Sequence, residues 1–136
     1  LQHIKNKKQK IIITANTTWN LFNFRAGLIS RLVKSGYEVI AVAPEDSYKQ
    51  KLELLGCRYI PLKMDNKGTN PVRDFQLIFG FLKIFFRERP DALLVYTVKP
   101  NVYASLAAHF NGIPVINNVS GLGTAFIRGG WMAYLV

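Results

Sequence analysis

The residues best suited to chemistry in this chain are hydrogen-bonding and cationic, and they gather in three stretches. These are "NTTWNLFNFR" (Asn16 to Arg25), "TVKPN" (Thr97 to Asn101) and "NVSGLGTAF" (Asn118 to Phe126). All three are rich in Asn, Thr or Ser, none contains Asp or Glu, and Arg25 and Lys99 add positive charge. Such a set suits a polar or anionic ligand and shows no catalytic acid. Trp19 and Phe22 add flat apolar surface of the kind that stacks on sugars or lipid. Ordinary turn chemistry accounts for the same composition, because Asn and Thr are common in turns and caps and Phe22 can pack beneath a sheet edge.

The segment "GLGTAF" matches the first two glycines of a dinucleotide fingerprint but has Phe126 at the third position. It also follows the fifth apolar run rather than the first, and the acidic residue expected roughly 20 residues later falls past Val136. No nicotinamide or other cofactor is therefore expected. The glycines let the backbone approach a ligand closely, where its N–H groups, with Ser120 and Thr124, meet an anion. A metal is not expected either, since Cys57, His3 and His109 have no ligand spacing, and a single cysteine cannot form an internal disulfide.

The elements that must position these stretches follow from periodicity. "KIIITA" (Lys10 to Ala15) is a β-branched run that reads as a buried strand. Phe24, Leu28, Ile29, Leu32 and Val33 then recur at helical spacing up to Gly36, and "YEVIAVAP" is the next strand. Asp46 or Ser47 is the expected N-cap of a second helix with a stripe through Tyr48, Leu52 and Leu55, ended by Gly56 before "CRYIPL". A polar connector, "KMDNKGTN", leads to a long helix capped by Asn70, started by Pro71 and barred by Pro90. "DALLVYT" is the fourth strand. Asn101, or Lys99 with Pro100, opens the last helix, with Val102, Leu106 and Phe110 on one face and Gly112 before "PVINN". This βαβαβ alternation, with strands apolar on both sides, predicts a Rossmann-like α/β domain, an open parallel sheet with helices on both faces. Ligands of such sheets bind beyond the carboxyl ends of the strands, where the three polar stretches fall.

At 136 residues the chain is the size of one domain. Residues 1–9 read as a basic, flexible lead-in, 10–126 as the Rossmann-like domain and 127–136 as the start of a further, truncated helix. Its formal charge of +10 favours an anionic partner, such as a phosphate or an anionic membrane surface. Part of that charge is the lead-in "LQHIKNKKQK". Basic residues are not interleaved along one recognition element, so nucleic acid is not the expected partner, and the first strand ends in Thr14 and Ala15 without the acidic pocket of a phosphoacceptor domain. With no apolar signal-peptide core, a reducing, cytoplasmic setting is expected. The run "FQLIFGFLKIFF" falls short of the ~20 apolar residues a membrane span needs. Within the long helix, Phe75, Ile78, Phe79, Leu82, Phe85 and Phe86 form a wide apolar face beside Arg73, Lys83, Arg87 and Arg89. That pattern fits a helix lying on an anionic bilayer, with the four cations meeting head groups. It fits better a helix that covers a sheet, which must be apolar, and carries its cations near its C-terminus.

The succession "GYEVIAVAP", "RPDALLVYTVKPNVYASLAA" and "IPVINNVSGLGTAF" resembles the N-terminal domain of family-four glycosyltransferases with the two-domain GT-B fold, over Lys10 to about Phe126. The likeness is greatest to bacterial enzymes that extend undecaprenyl-diphosphate-linked sugars in polysaccharide, lipopolysaccharide or glycoprotein assembly. The resemblance implies a retaining transferase in which this half receives a lipid-linked sugar acceptor at the inner face of the cytoplasmic membrane. A C-terminal domain, missing here, would bind the nucleotide-sugar donor and carry a pair of glutamates, so the chain is expected to be inactive alone. Carried over, Asn16, Thr17, Trp19 and Arg25, then Thr97, Lys99 and Asn101, then Ser120, Gly121, Gly123 and Thr124 face the cleft and bind acceptor. Many relatives have histidine where this chain has Ser120, so no histidine role transfers there. The alternative is a stand-alone binding or membrane-recruiting subunit of a split glycosyltransferase.

Overall fold

The structure, a computed structural model, describes residues 7–65 and 70–119. Five strands alternate with four helices: β1 (Lys10–Thr14), α1 (Thr18–Lys34), β2 (Glu38–Ala43), α2 (Lys49–Leu54), β3 (Arg58–Pro61), α3 (Pro71–Glu88), β4 (Ala92–Tyr96), α4 (Val98–Phe110) and β5 (Val115–Asn118). They form one sheet in the order β3-β2-β1-β4-β5, and every neighbouring pair is parallel. β1 lies at the centre, with Ile12 level with Ile40 on one side and Leu93 on the other. The expected open parallel sheet is what the chain forms.

Alternation along β1 divides the interior into two cores. Ile12 packs with Leu77, Phe81, Ile84 and Phe85 of α3 and with Val102, Tyr103, Ala104, Ala107 and Ala108 of α4. Ile13 faces the opposite way, into a cluster with Leu21 and Ile29 of α1 and Leu52 of α2. Successive strand residues point to opposite faces, so a strand apolar at every position has to be covered twice. Helices accordingly lie on both faces.

Local signals set most boundaries. Thr17 caps α1 by accepting from the Asn20 N–H at 2.9 Å, and Asn70 caps α3 by accepting from Val72 and Arg73 N–H, with Pro71 in the first turn. Gly36, Gly56 and Gly112 have φ of 96, 95 and 65°, and each reverses the chain from a helix toward a strand. Burial keeps the Cys57 thiol in a packing role, pushing it up to about 11 while Sγ contacts the Leu52 carbonyl at 3.2 Å.

Three expectations need correction. The start of α4 is Val98 rather than Lys99 or Asn101, and Pro100 sits inside the first turn, where backbone N–H groups have no helical acceptor and none is lost. The cap of α2 is neither Asp46 nor Ser47. The helix is short and starts after Tyr48, which makes no side-chain cap bond, while the Asp46 carboxylate accepts from the Tyr48 N–H at 2.8 Å. On α1, Ile29 is buried and Leu32 and Val33 are partly buried, but Phe24 and Leu28 lie on an exposed flank. The inward stripe runs instead through Thr18, Leu21 and Ile29, one side of a helix whose apolar residues extend past the sheet contact.

The amino ends of the strands are tied together by charge. Glu88, at the end of α3 and 8% exposed, accepts from Arg58 Nη2 at 2.8 Å and from Lys10 Nζ at 3.4 Å. Arg58 also meets Glu38 at 2.9 Å, and the Asp91 carboxylate accepts from the Lys10 N–H at 2.7 Å. One glutamate thus joins the first residues of β1 and β3 to α3. The hydrogen bonds from Arg58 hold its carboxyl below the ordinary carboxylate range, against the opposing effect of burial. Replacing it, Glu88→Gln, is expected to cost on the order of 2 kcal/mol at pH 7, less than a fully buried pair because Arg58 is half exposed. The folded-state pKa is depressed, so this contribution is present above the unfolded carboxylate pKa of about 4.3 and disappears as pH falls through the lower folded value. Urea unfolding of both proteins at pH 7 and near pH 3 checks this: the gap should close in acid.

Candidate functional site

Strand order reverses at β1, whose chain continues toward β2 on one side while β4 pairs on the other, and the loops leaving β1 and β4 diverge there. A crevice at such a reversal is where open α/β sheets bind ligands. The two loops are stitched together: the Asn16 N–H donates to Thr97 Oγ1 at 3.0 Å. Thr97 takes φ 68° and ψ 163° between the last residue of β4 and the first of α4. A threonine held there costs on the order of 1–3 kcal/mol, a strain typical of sites where geometry is imposed by the surroundings.

Asn101 is committed on both ends of its amide. Its Nδ2 donates to the carbonyls of Thr97 at 2.7 Å and Asn118 at 2.9 Å, and its Oδ1 accepts from Asn117 Nδ2 at 2.9 Å. Asn117 also donates to Ser105 Oγ at 2.7 Å. This cluster holds the carboxyl end of β5, an edge strand, against α4. Asn101 therefore positions the segment from which the chain departs after Asn118. Asn117 and Ser105 were absent from the expected set. The only hint in the sequence is the Asn101/Ser105 pair, which lies one helical turn apart.

Lys99, expected to bring positive charge to the crevice, is neutralised instead. Its Nζ lies 3.2 Å from Asp74 Oδ1, both side chains are nearly buried, and Tyr103 donates its hydroxyl to Asp74 Oδ2 at 2.9 Å. Burial, followed by the hydrogen bond to Asp74, pushes the Tyr103 phenol up and keeps it a neutral donor. The triad fastens α4 to α3. A carboxylate also reaches this edge from outside the three stretches: Asp46 accepts from the Thr18 hydroxyl, from the Trp19 N–H at 3.3 Å and from the Tyr48 N–H at 2.8 Å. Its lone pairs are engaged at the start of α1.

Thr17 is committed as the cap of α1, while Trp19 is exposed and meets the exposed Phe24 edge to face at 5.5 Å. Phe22 packs against the α1/α2 core and Tyr48, as a structural residue does. The Arg25 guanidinium lies 4.1 Å from the centre of the Tyr96 ring. Ser120, Gly121, Gly123 and Thr124 lie outside the described residues. Among the described residues no group of His, Cys, Asp or Glu is arranged to hold a metal.

The face expected along α3 is divided. Leu77, Phe81, Ile84 and Phe85 enter the core and Ile78 and Leu82 pack against it, whereas Val72, Phe75, Phe79 and Phe86 are each 63–69% exposed. Lys83, Arg87 and Arg89 are exposed beside them, and Arg73 pairs with Asp65 at 2.9 Å. The sheet-covering account holds for the inner face, and the outer face is left apolar and basic. Among the described residues no helix is long and apolar enough to cross a membrane.

Residues 10–132 match the family model described as glycosyl transferase 4-like. The chain is 30% identical over 118 residues to the N,N'-diacetylbacillosaminyl-diphospho-undecaprenol alpha-1,3-N-acetylgalactosaminyltransferase of Campylobacter jejuni, a match covering 86% of this chain and 31% of that protein. It is 30% identical over 123 residues to the UDP-N-acetylglucosamine–N-acetylmuramyl-(pentapeptide) pyrophosphoryl-undecaprenol N-acetylglucosamine transferase of Clostridium botulinum, covering 84% of this chain and 35% of that one. It thus spans about a third of the length of these curated relatives. Among solved structures, Acinetobacter baumannii MurG aligns with a TM-score of 0.65 at 18% identity, over 96% of this chain and 39% of that one. A UDP-N-acetylglucosamine 2-epimerase from Listeria monocytogenes, named as putative, aligns at 0.70 and 20% identity, over 95% and 35%. These likenesses are of fold.

The Lys99–Asp74 pair generates a prediction. Lys99→Met leaves a nearly buried carboxylate without its cation and is expected to lower stability by about 2–4 kcal/mol. Adding Asp74→Asn removes the orphaned charge and should recover part of that loss in urea unfolding. Equal stability of the single and double variants would show that the pair carries no coupling.

Proposed function

This chain belongs to the glycosyl transferase 4-like family, and on that premise we propose that it forms the acceptor-binding side of a retaining glycosyltransferase. The enzyme moves a sugar from a nucleotide-sugar to a lipid-linked glycan in the synthesis of cell-surface polysaccharide, lipopolysaccharide or glycoprotein. The observation that carries this reading is the crevice where β1 and β4 diverge. Its described residues offer hydrogen bonds, an aromatic surface and a stacked guanidinium, while the nearby Asp46 and Asp74 are already engaged. Such a surface binds and orients. The donor and the groups that stabilise its departing phosphate belong to a second domain, as half of a bipartite active site.

Within that reading the residues divide their work. Asn16, Thr17, Trp19 and Arg25 present the first wall, with Trp19 and Phe24 as the flat surface for a sugar ring. Thr97, Lys99 and Asn101 keep the second wall in place through the contacts described above, and Ser120, Gly121, Gly123 and Thr124, outside the described residues, are assigned to acceptor binding on the same reading. A membrane-held acceptor requires the domain to approach a bilayer. The exposed phenylalanines of α3, flanked by Arg73, Lys83, Arg87 and Arg89, suit an anionic membrane at its cytoplasmic face. That helix also supports the second reading, a membrane-recruiting subunit of a split transferase.

Two outcomes are expected. The chain alone should release no sugar product with any nucleotide-sugar and lipid-linked acceptor, whereas supplying the donor-binding portion of a relative restores transfer under the first reading. In flotation assays with a chain starting at Lys10, vesicle binding should rise with the fraction of anionic lipid. It should weaken with salt, because exposed charges are screened over about 8–10 Å at physiological ionic strength. Phe75→Glu with Phe79→Glu should abolish it, and binding that ignores lipid charge, salt and these substitutions would remove the membrane role.

A further inference from the structure

Arg25 stands apart from the other arginines. Among the described residues, Arg58 and Arg73 have carboxylate partners, and Arg31, Arg87 and Arg89 are open to water. Arg25 is partly buried, forms no ion pair among the described residues, and its Nε is buried with no hydrogen-bond acceptor. Its guanidinium is nonetheless held in one place, centred 4.1 Å from the ring of Tyr96. Tyr96 is the last residue of β4, is 5% exposed and precedes Thr97 at the crevice.

A half-desolvated cation with an orphaned donor is unfavourable unless something completes it. Two carboxylates that reach this edge are already engaged. Asp46 is engaged by Thr18 and Trp19 at the start of α1 and by Tyr48 before α2, and Asp74 is engaged by Lys99 and Tyr103. Lys99 is neutralised and Lys51, over the rings of Tyr48 and Phe22, is exposed, so Arg25 is the partly buried cation without an ion pair at this edge among its described residues. Stacking on an aromatic ring fixes the plane of a guanidinium and leaves its N–H fork to an in-plane acceptor, and the oxygens of a phosphate match that fork in pairs.

We propose that Arg25, oriented by Tyr96, is a diphosphate-binding residue of the crevice. The assignment deepens the acceptor-side reading and rests on it for the source of the anion, since a diphosphate occurs in both a lipid-linked sugar and a nucleotide-sugar. Arg25 binds and places that group, and no bond to it forms or breaks. Tyr96 is a positioning residue that acts through the guanidinium.

Calorimetric titration of the whole chain at low ionic strength tests this, with inorganic pyrophosphate, geranyl diphosphate and UDP as probes. Arg25→Gln should weaken pyrophosphate binding at least tenfold. Arg25→Lys, which keeps the charge and loses the fork, should weaken it severalfold, and Arg31→Gln, an exposed arginine of α1 with no place in either surface, should leave it unchanged. Thermal melts identify any variant that fails to fold, in which case Arg25→Lys carries the comparison. Pyrophosphate binding that is equal in wild type, Arg25→Gln and Arg25→Lys overturns the proposal, as does an equal loss in Arg31→Gln, which would mark diffuse attraction to a basic chain. The other probes separate the two layers of inference. Arg25-dependent binding of geranyl diphosphate over UDP supports both; Arg25-dependent binding of UDP alone keeps the anion site and removes the acceptor assignment. Geranyl diphosphate binding that ignores Arg25 keeps the acceptor reading and removes this site.

Discussion

The rest of the structure depends on β1 being buried on both faces and on both edges. Its isoleucines cannot reach water on either side, and β2 and β4 occupy its two hydrogen-bonding edges. A parallel neighbour cannot be reached by a tight turn, so each connection must cross a face of the sheet, and a helix is the element that crosses while covering apolar surface. The two-core arrangement follows, with α1 and α2 over Ile13 and α3 and α4 over Ile12. So does the crevice, because the chain leaves β1 in one direction and the strand on its other side leads away in the opposite one. The candidate site is therefore a consequence of strand order before any particular side chain is considered.

Polar residues then hold that crevice in shape. The chain turns from β4 into α4 without an intervening loop, which forces Thr97 to a positive φ, and the same residue accepts from the Asn16 N–H across the reversal. The Asn101 amide bridges the Thr97 and Asn118 carbonyls, so the ends of β4 and β5 share one side chain. Such contacts are individually worth only about 0.5–1.5 kcal/mol. Their effect on geometry is larger, because each ties a main-chain group at the reversal to a neighbouring element. Much of what reads in the sequence as ligand-binding polarity is, in the structure, this bracing.

Legibility in the sequence follows the range of the interactions concerned. The strands, the caps at Asn70 and Pro71 and the stops at Gly36, Gly56 and Gly112 are set by neighbours a few residues away, and periodicity exposes them. The alternation that makes the sheet parallel was legible for the same reason. Lys99 was misjudged because its partner, Asp74, belongs to a different helix. Asp46 was taken for a local cap, although it also reaches Thr18 and Trp19 at the start of α1. Phe24 and Leu28 carry the right spacing for a core stripe, and only the docking angle of α1 leaves them outside. Residue types announce polarity and charge, whereas whether a charge is free or neutralised is decided by tertiary partners.

The α3 helix shows why that distinction matters for function. One side of it closes the core through Phe81 and Phe85, and the other presents Phe75, Phe79 and Phe86 to the surroundings. Its first turns carry Asp74, which grips Lys99 and Tyr103 of α4, and α4 begins at the strained Thr97 that touches Asn16. An apolar outer face and the crevice are thus joined through three consecutive rigid contacts, none of them a flexible loop. Whatever surface α3 rests on, the crevice is held at one fixed attitude to it. On the proposed reading, a domain that meets an acceptor anchored in a plane needs that fixed relation more than affinity for the plane itself, since orientation converts a diffusing encounter into a productive one. On that reading Lys99 serves the site indirectly, by keeping α4, which begins at the crevice, square to α3.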